Sequence, residues 1–427
     1  MKTKILLWSA VVILVIGIAT GAIMWLDRPQ VITLKDGTKL TLAGVTYGKH
    51  HVAPKIKSAN AGPRAGGGRI DSTNDMLMVW IQSEHKGNQG PNDQLMVYDP
   101  ANTACVSSWS RDTTRIKKGL DLQGFLLDAY PRHGRKIVLR IAAWNNSGPG
   151  MELAKGQFVI SNPSRGPFPK WTPDPLPDTQ SDGDLDVMLT RLIYGVKGFD
   201  RGNALSKNDP MNKAVLAAFR TEQKGVVMTN WQPYRITMSD ATGNRIDNNS
   251  WSNGRENDEV VMTYQWGLWP DEPAWKLNVE MTRTSGFKDD EVWTVQNLPV
   301  HTGSQRDLFN YGRNSHTDTT FAETTLNGVH LKIFPAIQFT DLNYGNGQKS
   351  GGIRLQVDPE PETLQMRMSL ASLTDEQGHE LQCWGPNGGG GSDVFQMPNL
   401  RNAKSLNVTI AVHKSRFVEF TVKSTKQ

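Results

Sequence analysis

The heptapeptide Trp275-Lys276-Leu277-Asn278-Val279-Glu280-Met281 places an apolar side chain at every second position. Successive side chains of a β-strand point to opposite faces of the sheet, so this alternation predicts a strand with one buried face. Two further segments, Ile137–Ala143 and Leu406–Val412, carry the same pattern, and each of the three comes shortly after a proline. Each is also followed by a second short apolar run. These runs are Phe158–Ile160, Trp293–Val295 and Val418–Val422.

The three predicted modules also resemble one another outside these strands. Leu42–Gly48 (LAGVTYG) is similar to Leu189–Gly195 (LTRLIYG), and Trp109, Trp251 and Trp384 each lie in a polar loop. Recurrence at a period of this size is typical of tandem domains. We therefore predict an all-β chain with three tandem β-sandwich-like, immunoglobulin-like domains. The alternative is three β-domains without common origin, because any β-sandwich alternates strands and turns.

Proline-rich and polar stretches set the predicted domain limits. The segment from Pro163 to Pro177 is rich in proline, which favours an extended and semi-rigid spacer. One helix is predicted over 212–222, since Val215, Leu216 and Phe219 have helical spacing. The predicted divisions are an anchor at 1–29, β-domain 1 at 30–162, a linker at 163–183, β-domain 2 at 184–300, a linker at 301–319 and β-domain 3 at 320–427.

The chain begins with an apolar segment, Ile5–Leu26, that contains no charged side chain. About 20 apolar residues cross the hydrocarbon core as a helix, so this length predicts a single transmembrane helix. Lys2 and Lys4 precede the segment, and Arg28 follows it beside Asp27. The positive-inside rule then predicts a cytoplasmic N-terminus and extracytoplasmic β-domains, in the periplasm or at the cell surface. The alternative is a cleaved signal peptide, whose apolar core is usually shorter.

Composition narrows the classes of partner. The net charge is only +5 and the basic residues are scattered, whereas nucleic-acid-binding proteins concentrate them on one face. Nucleic acid is therefore not an expected partner, and the membrane is one through Ile5–Leu26. The two cysteines, Cys105 and Cys383, lie in different predicted modules. An oxidising compartment permits a disulfide between them, and the sequence leaves that pairing open.

One loop has the composition of a ligand-binding site. Trp251 lies among Asn249, Arg255 and other polar residues, and Trp269 lies in a turn nearby in sequence. An indole ring surrounded by amide and guanidinium groups suits a hydroxyl-rich ligand such as a polysaccharide. The competing interpretation is a structural plug over one end of each sandwich, because Trp109 and Trp384 occupy corresponding loops.

Metal-binding patterns are weak. Asp182, Asp184 and Asp186 form an acidic run at the first junction, and calcium prefers such oxygen ligands. The spacing differs from the calcium loop of helix–loop–helix proteins, so these residues are only a weak calcium candidate. The pair His50-His51 is expected to point to opposite faces of a strand. No cofactor is expected.

Catalytic sequence motifs are missing. The chain contains neither Gly-x-Ser-x-Gly nor His-Glu-x-x-His, and it has no phosphate-binding loop. We therefore expect a non-catalytic structural or binding role at the cell envelope, with envelope proteins or polysaccharide as partners. The alternatives are a carbohydrate-binding protein that uses Trp251, and a hydrolase whose carboxylates come from distant strands and leave no local motif.

Overall fold

The structure of the chain is a computed structural model. Almost all of the regular structure in the described part is β-strand, with two short 3-10 turns at Asp289–Glu291 and Pro361–Leu364. The predicted all-β class is therefore confirmed. The residues that the structure describes are 30–54, 69–86, 93–98, 105–144, 151–153, 155–164, 166–196, 214–249, 252–264, 267–304, 319–340, 350–388, 392–400 and 402–426.

The predicted anchor, Ile5–Leu26, lies outside the described residues. Among the residues that are described, no helix has the length and apolar character needed to cross a bilayer.

The strands form three units, which we number in chain order. Unit 1 contains β1 (Val31–Thr33), β2 (Lys39–Val52), β3 (Arg69–Glu84), β4 (Asp93–Tyr98), β5 (Cys105–Lys117), β6 (Leu120–Leu127), β7 (Lys136–Trp144), β8 (Met151–Leu153) and β9 (Phe158–Ser161).

Unit 2 contains strands from two separate parts of the chain. Its first part is β10 (Asp178–Asp182), β11 (Leu185–Val196), β12 (Ala214–Gln223), β13 (Val226–Val227), β14 (Trp231–Asp240), β15 (Arg245–Asn249), β16 (Ser252–Glu256), β17 (Glu259–Tyr264) and β18 (Trp275–Arg283).

Unit 3 follows β18. It contains β19 (Val292–Gly303), β20 (Ala322–Leu326), β21 (Val329–Ile333), β22 (Ala336–Phe339), β23 (Gly351–Asp358), β24 (Met366–Asp375), β25 (Trp384–Gly388), β26 (Ser392–Met397) and β27 (Ser405–Lys414). The chain then returns to unit 2 with β28 (Arg416–Val422) and β29 (Thr425–Lys426), which pair with β18 and β11.

The three units share one strand order. If the main strands of each unit are lettered a to h, their pairing order is a-b-c-f-e in one half and d-g-h in the other, and strand e also pairs with strand d in units 1 and 2. This order differs from the ABED and CFG sheets of immunoglobulin domains. In unit 1 the letters a to h denote, in order, β1, β2, β3, β4, β5, β6, β7 and β9. In unit 2 they denote β10, β11, β12, β14, β15/β16, β17, β18 and β28. In unit 3 they denote β20, β21/β22, β23, β24, β25, β26, β27 and β19.

The final strand, h, is exchanged between units 2 and 3. β19 follows strand g of unit 2 but pairs with β27, which is strand g of unit 3. β28 follows β27 but pairs with β18, which is strand g of unit 2. The predicted limits at 300 and 320 assign each of these strands to the other unit, because the alternating pattern shows that a strand is half buried but not which neighbour it pairs with.

The sequence similarity between Leu42–Gly48 and Leu189–Gly195 coincides with a structural similarity. Both segments lie in strand b, and in each the pairing register with strand c shifts directly after the first leucine. Both glycines have a positive φ, of 128° at Gly48 and 86° at Gly195. A second register shift occurs at or next to each glycine, so the two segments bend at corresponding places.

The predicted helix at 212–222 is wrong, because this segment contains strand β12. β12 pairs with β11 on one side and with β17 on the other, so it is a central strand. Val215, Ala217 and Phe219 face the core, while Ala218 is buried on the opposite face. A central strand buried on both faces has apolar residues at irregular spacing, which resembles a helical pattern in a short segment.

The hydrophobic core is divided unequally. One continuous cluster of buried side chains extends through units 1 and 2, from Ile32 to Phe420 and Val422. A separate cluster, which includes Leu331, Phe395 and Ile410, fills unit 3. Unit 3 thus has its own apolar core, and polar side chains lie where it meets unit 2.

Candidate functional site

A cleft of about 470 Å³ lies between unit 2 and unit 3. Its unit 3 wall contains the consecutive residues Arg367–Leu373 of β24, together with Leu381, Cys383 and Phe395. Its unit 2 wall contains residues of β14 and of the end of β18. These residues are Gln232, Tyr234, Thr282, Arg283 and Thr284.

The cleft follows the edge of β24 rather than one of its faces. Neighbouring side chains of a strand point to opposite faces, so a cavity that contacts seven consecutive residues reaches both faces. Met368 belongs to the core of unit 3, whereas Arg367 and Ser369 face unit 2. The cleft therefore opens at the side of the unit 3 sandwich.

A buried ion pair joins the two units beneath this cleft. Arg367 donates from Nε and Nη2 to the two carboxylate oxygens of Glu280, at 2.6 and 2.7 Å. Ser415 Oγ also donates to Glu280, at 2.7 Å, and Arg367 pairs with Glu362 as well. Two parallel bonds of this kind fix the orientation of both side chains, so the pair sets the angle between β18 and β24.

The charge on Glu280 is stabilised by these partners. Burial opposes ionisation, but the hydrogen bonds from Arg367 and Ser415 and the charge of Arg367 outweigh it and hold the pKa of Glu280 below its usual range. The guanidinium of Arg367 also lies 4.1 Å from the ring centre of Tyr234, whose ring lines the cleft. Arg367 is thus held on three sides.

His413 is the titratable side chain buried next to this ion pair. Burial, together with the positive charge of Arg283, lowers the pKa of His413 to about 4, so its ring is neutral at pH 7. Its Nε2 lies 3.3 Å from Thr282 Oγ1 and 3.4 Å from Ser369 Oγ. A serine at this distance from a histidine resembles part of a nucleophilic pair. Here the ring nitrogen is shared between two hydroxyl groups, and the nearby Glu291 is engaged by Arg283.

Polar groups also connect unit 1 to unit 2. The side-chain oxygen of Asn244 accepts hydrogen bonds from Tyr130 N at 3.0 Å and from Arg132 Nε at 2.9 Å. Glu272 lies 3.1 Å from His133 Nε2, and burial, with the negative charge of Asp240, raises the pKa of Glu272. Glu272 is only 6% exposed, so a substrate has little access to this raised-pKa carboxyl group.

The predicted ligand-binding residues are not brought together by the described structure. Trp269 is buried in the unit 1 and 2 core, where its carbonyl accepts a hydrogen bond from Trp275 Nε1 at 3.1 Å. Arg255 is exposed on β16 and donates to the Thr229 carbonyl at 2.5 Å. Trp251 and the side chain of Asn249 lie outside the described residues, so the polysaccharide site stays a prediction.

The acidic run predicted as a weak calcium site forms the β10–β11 hairpin. Arg416 approaches Asp182 at 3.5 Å and Asp184 at 3.3 Å, and the Phe417 N–H donates to Asp182 at 2.9 Å. Ser181 Oγ donates to Asp186 at 2.6 Å. The described part of the chain has no group of three or more potential metal-ligating side chains. In this arrangement the carboxylates hold the start of β28 in place.

The two adjacent histidines point to opposite faces of β2, as predicted. His51 is fully buried, with Nδ1 2.9 Å from Thr46 Oγ1, and burial lowers its pKa. His50 is exposed and lies 2.7 Å from Asp71.

Sequence reasoning missed the residues at the cleft. Glu280 occupies a polar position of the quoted heptapeptide, and such positions normally face water. Arg367 and His413 carry no local motif at all. Only the packing of unit 3 against β18 turns these three positions into a buried network.

No family model, no curated protein and no solved structure matches the chain.

Proposed function

We propose that this chain is a membrane-tethered, non-catalytic protein whose three extracytoplasmic β-sandwich-like domains act as a spacer and binding surface at the cell envelope. The domains derive from one tandem repeat, and Ile5–Leu26 is the single-pass anchor. The partner is an envelope protein that binds at the cleft between units 2 and 3.

The arrangement of charged groups in the cleft supports this proposal. Two of the charged groups that line the cleft, Arg367 and Arg283, are held by carboxylates, the third, Glu380, is exposed, and the neighbouring His413 is neutral and buried. Catalytic sites usually place a titratable group within reach of a substrate with its pKa adjusted to the working pH. This cleft instead offers fixed polar groups and an open strand edge, which suit the binding of a polypeptide.

The shared strand order supports the tandem-repeat part of the proposal. The exchange of strand h between units 2 and 3 supports the spacer role, because neither unit can move away from the other without breaking a sheet. A tether that presents a binding surface at a set distance from a membrane benefits from such rigidity.

Protease accessibility in intact cells tests the tether. A chain carrying different epitope tags at its two ends is expected to lose the C-terminal tag when protease is added outside, and to keep the N-terminal tag. The full-length mass of the membrane-bound chain distinguishes an anchor from a cleaved signal peptide. Recovery of the chain in the soluble cytoplasmic fraction would contradict the proposal.

The alternatives receive no specific support from the described residues. The carbohydrate site depends on Trp251 and Trp269, of which Trp269 is buried. The hydrolase needs two accessible carboxylates across a cleft. Replacing Trp251 by Ala and measuring polysaccharide retention tests the first, and unchanged retention would remove it.

A further inference from the structure

Strand e bridges the two halves of the sandwich in units 1 and 2. In unit 1, the first part of β5 pairs with β4 and the second part pairs with β6. In unit 2, β15 pairs with β14, and β16, just downstream, pairs with β17. In both units five residues of strand d have a partner from strand e.

Unit 3 lacks most of this bridge. In the described part of the chain β25 pairs only with β26. β24 keeps a single bridge to the segment after it, Thr374 to Glu380, flanked by two hydrogen bonds, from Leu381 N to the Leu373 carbonyl and from Asp375 N to the His379 carbonyl. The described residues show no backbone pairing to the outer edge of 366–372. Within the part of the chain that the structure describes, the sandwich is therefore open along β24, at the place where the cleft lies.

The turn between strands d and e is built in the same way in units 2 and 3. In unit 2, Asp240 Oδ1 accepts from the N–H groups of Thr242 and Asn244. In unit 3, Asp375 Oδ1 accepts from those of Gln377 and His379. The same backbone hydrogen bonds close both turns, so strand e begins in the same way in units 2 and 3. Among the described residues, only in unit 3 does the chain after the turn stop pairing with strand d.

We propose that the open edge of β24 binds an extended segment of a partner protein, which pairs antiparallel to β24 and takes the place of the missing part of strand e. An unpaired edge presents backbone N–H and C=O groups that such a segment can pair with. A register shift between Leu370 and Ser372 leaves Met366–Leu370 as the regular stretch for pairing. This inference rests on the proposed binding function and specifies its partner.

The walls of the cleft define the chemistry of this segment. Side chains that point into the sandwich meet Leu381, Cys383 and Phe395, whereas those that point outward meet Ser369 and Arg283. The bound segment therefore has an apolar side chain that enters the sandwich and polar side chains that face outward. The Arg283 Nε–H is buried and has no acceptor among the described residues, so a carbonyl or carboxylate oxygen of the segment suits it.

The strand that fills the equivalent place in unit 2 supplies a probe. The blocked synthetic peptide RIDNNSW copies residues 245–251, and it is added to the full chain in lipid nanodiscs. We expect hydrogen–deuterium exchange of the edge-facing amides within 366–372 to slow about tenfold at saturation, since paired strand amides are protected from solvent. The same peptide with alternate backbone nitrogens methylated is expected to have no effect.

A substitution on the edge provides the matched comparison. Ala371→Lys places a charged side chain at the exposed register shift and is expected to weaken peptide binding about tenfold, because lysine at an edge opposes strand addition. Val226→Lys adds the same side chain on exposed β13 in unit 2 and is expected to leave binding unchanged.

A tethered peptide removes weak affinity as an explanation for a negative result. A copy of the probe with a terminal cysteine is joined by a disulfide to Cys383, in a chain that also carries Cys105→Ser. This tether raises the local concentration of the peptide to about 1 mM. Unchanged exchange at 366–372 with the tethered peptide overturns the inference. So does equal slowing by the methylated peptide, or protection by a second copy of the chain without any peptide. None of these results bears on the membrane tether, which the protease experiment tests separately.

Discussion

The two junctions between the units of this protein are built in different ways. Units 1 and 2 share one continuous apolar core, and the side chain of Asn244 links their backbones. Units 2 and 3 have separate apolar cores, and are joined by exchanged strands and by the buried Glu280–Arg367 pair. Apolar contact holds surfaces together without fixing direction, whereas paired strands and a bidentate ion pair fix both direction and register.

The largest expected effect comes from the exchanged strand. Phe420 of β28 is fully buried in unit 2, so Phe420→Ala is expected to lower the free energy of unfolding by about 3–5 kcal/mol. Hydrogen exchange should increase in β11, β12 and β18, while β24 and β27 stay protected. Phe417→Ala is the control, because Phe417 is exposed on the same strand. Deprotection confined to unit 3 would show that β28 does not belong to unit 2.

The ion pair is expected to have the next largest effect. Arg367→Met leaves the Glu280 carboxylate buried without its cation, which should cost about 3–4 kcal/mol in chemical denaturation. Adding Glu280→Met to the same chain should recover most of that loss, since the buried charge is then gone. A double variant as unstable as the single one would mean that the pair itself, rather than the uncompensated charge, dominates this junction.

The histidine at the same junction makes it sensitive to acid. The pKa of His413 is about 4 in the folded chain and near 6.5 when unfolded, so the unfolded chain binds more protons between these values. Stability is therefore lost as the pH falls from about 6.5 to 4, by at most about 3 kcal/mol from this residue. In His413→Gln the loss on acidification should be smaller by that amount. Identical acid slopes for the two chains would rule out this role for His413.

The smallest expected effect is at Glu272, the buried glutamate of the first junction, and Glu280 of the second junction provides the contrast. Glu272 has a raised pKa, so its ionised form costs stability, and this cost appears as the pH rises through about 4.5. Glu280 has a lowered pKa, so its contribution is present at neutral pH and is lost on acidification. At pH 7, Glu272→Gln should raise the free energy of unfolding by up to about 1 kcal/mol, whereas Glu280→Gln should lower it. Changes of the same sign would show that the two junctions do not differ electrostatically.

The candidate site was much less predictable than the fold. Trp251 and Trp269 were predicted to bind a ligand because aromatic residues in polar loops can be recognised from sequence. Trp269, however, is part of the core. The cleft depends on residues far apart in the chain, such as Thr282, Arg367 and His413. None of them has a neighbour in sequence that indicates its role.

The sequence by itself determined the all-β class, because alternation such as that of Trp275–Met281 depends only on the period of a strand. It also contained the similarity between Leu42–Gly48 and Leu189–Gly195, whose bends correspond. The tertiary structure alone decided that β12 is a strand, that β19 and β28 are exchanged, and that β24 has an open edge. Each of these depends on which distant strand supplies the hydrogen bonds, and a local pattern of apolar residues does not contain that information.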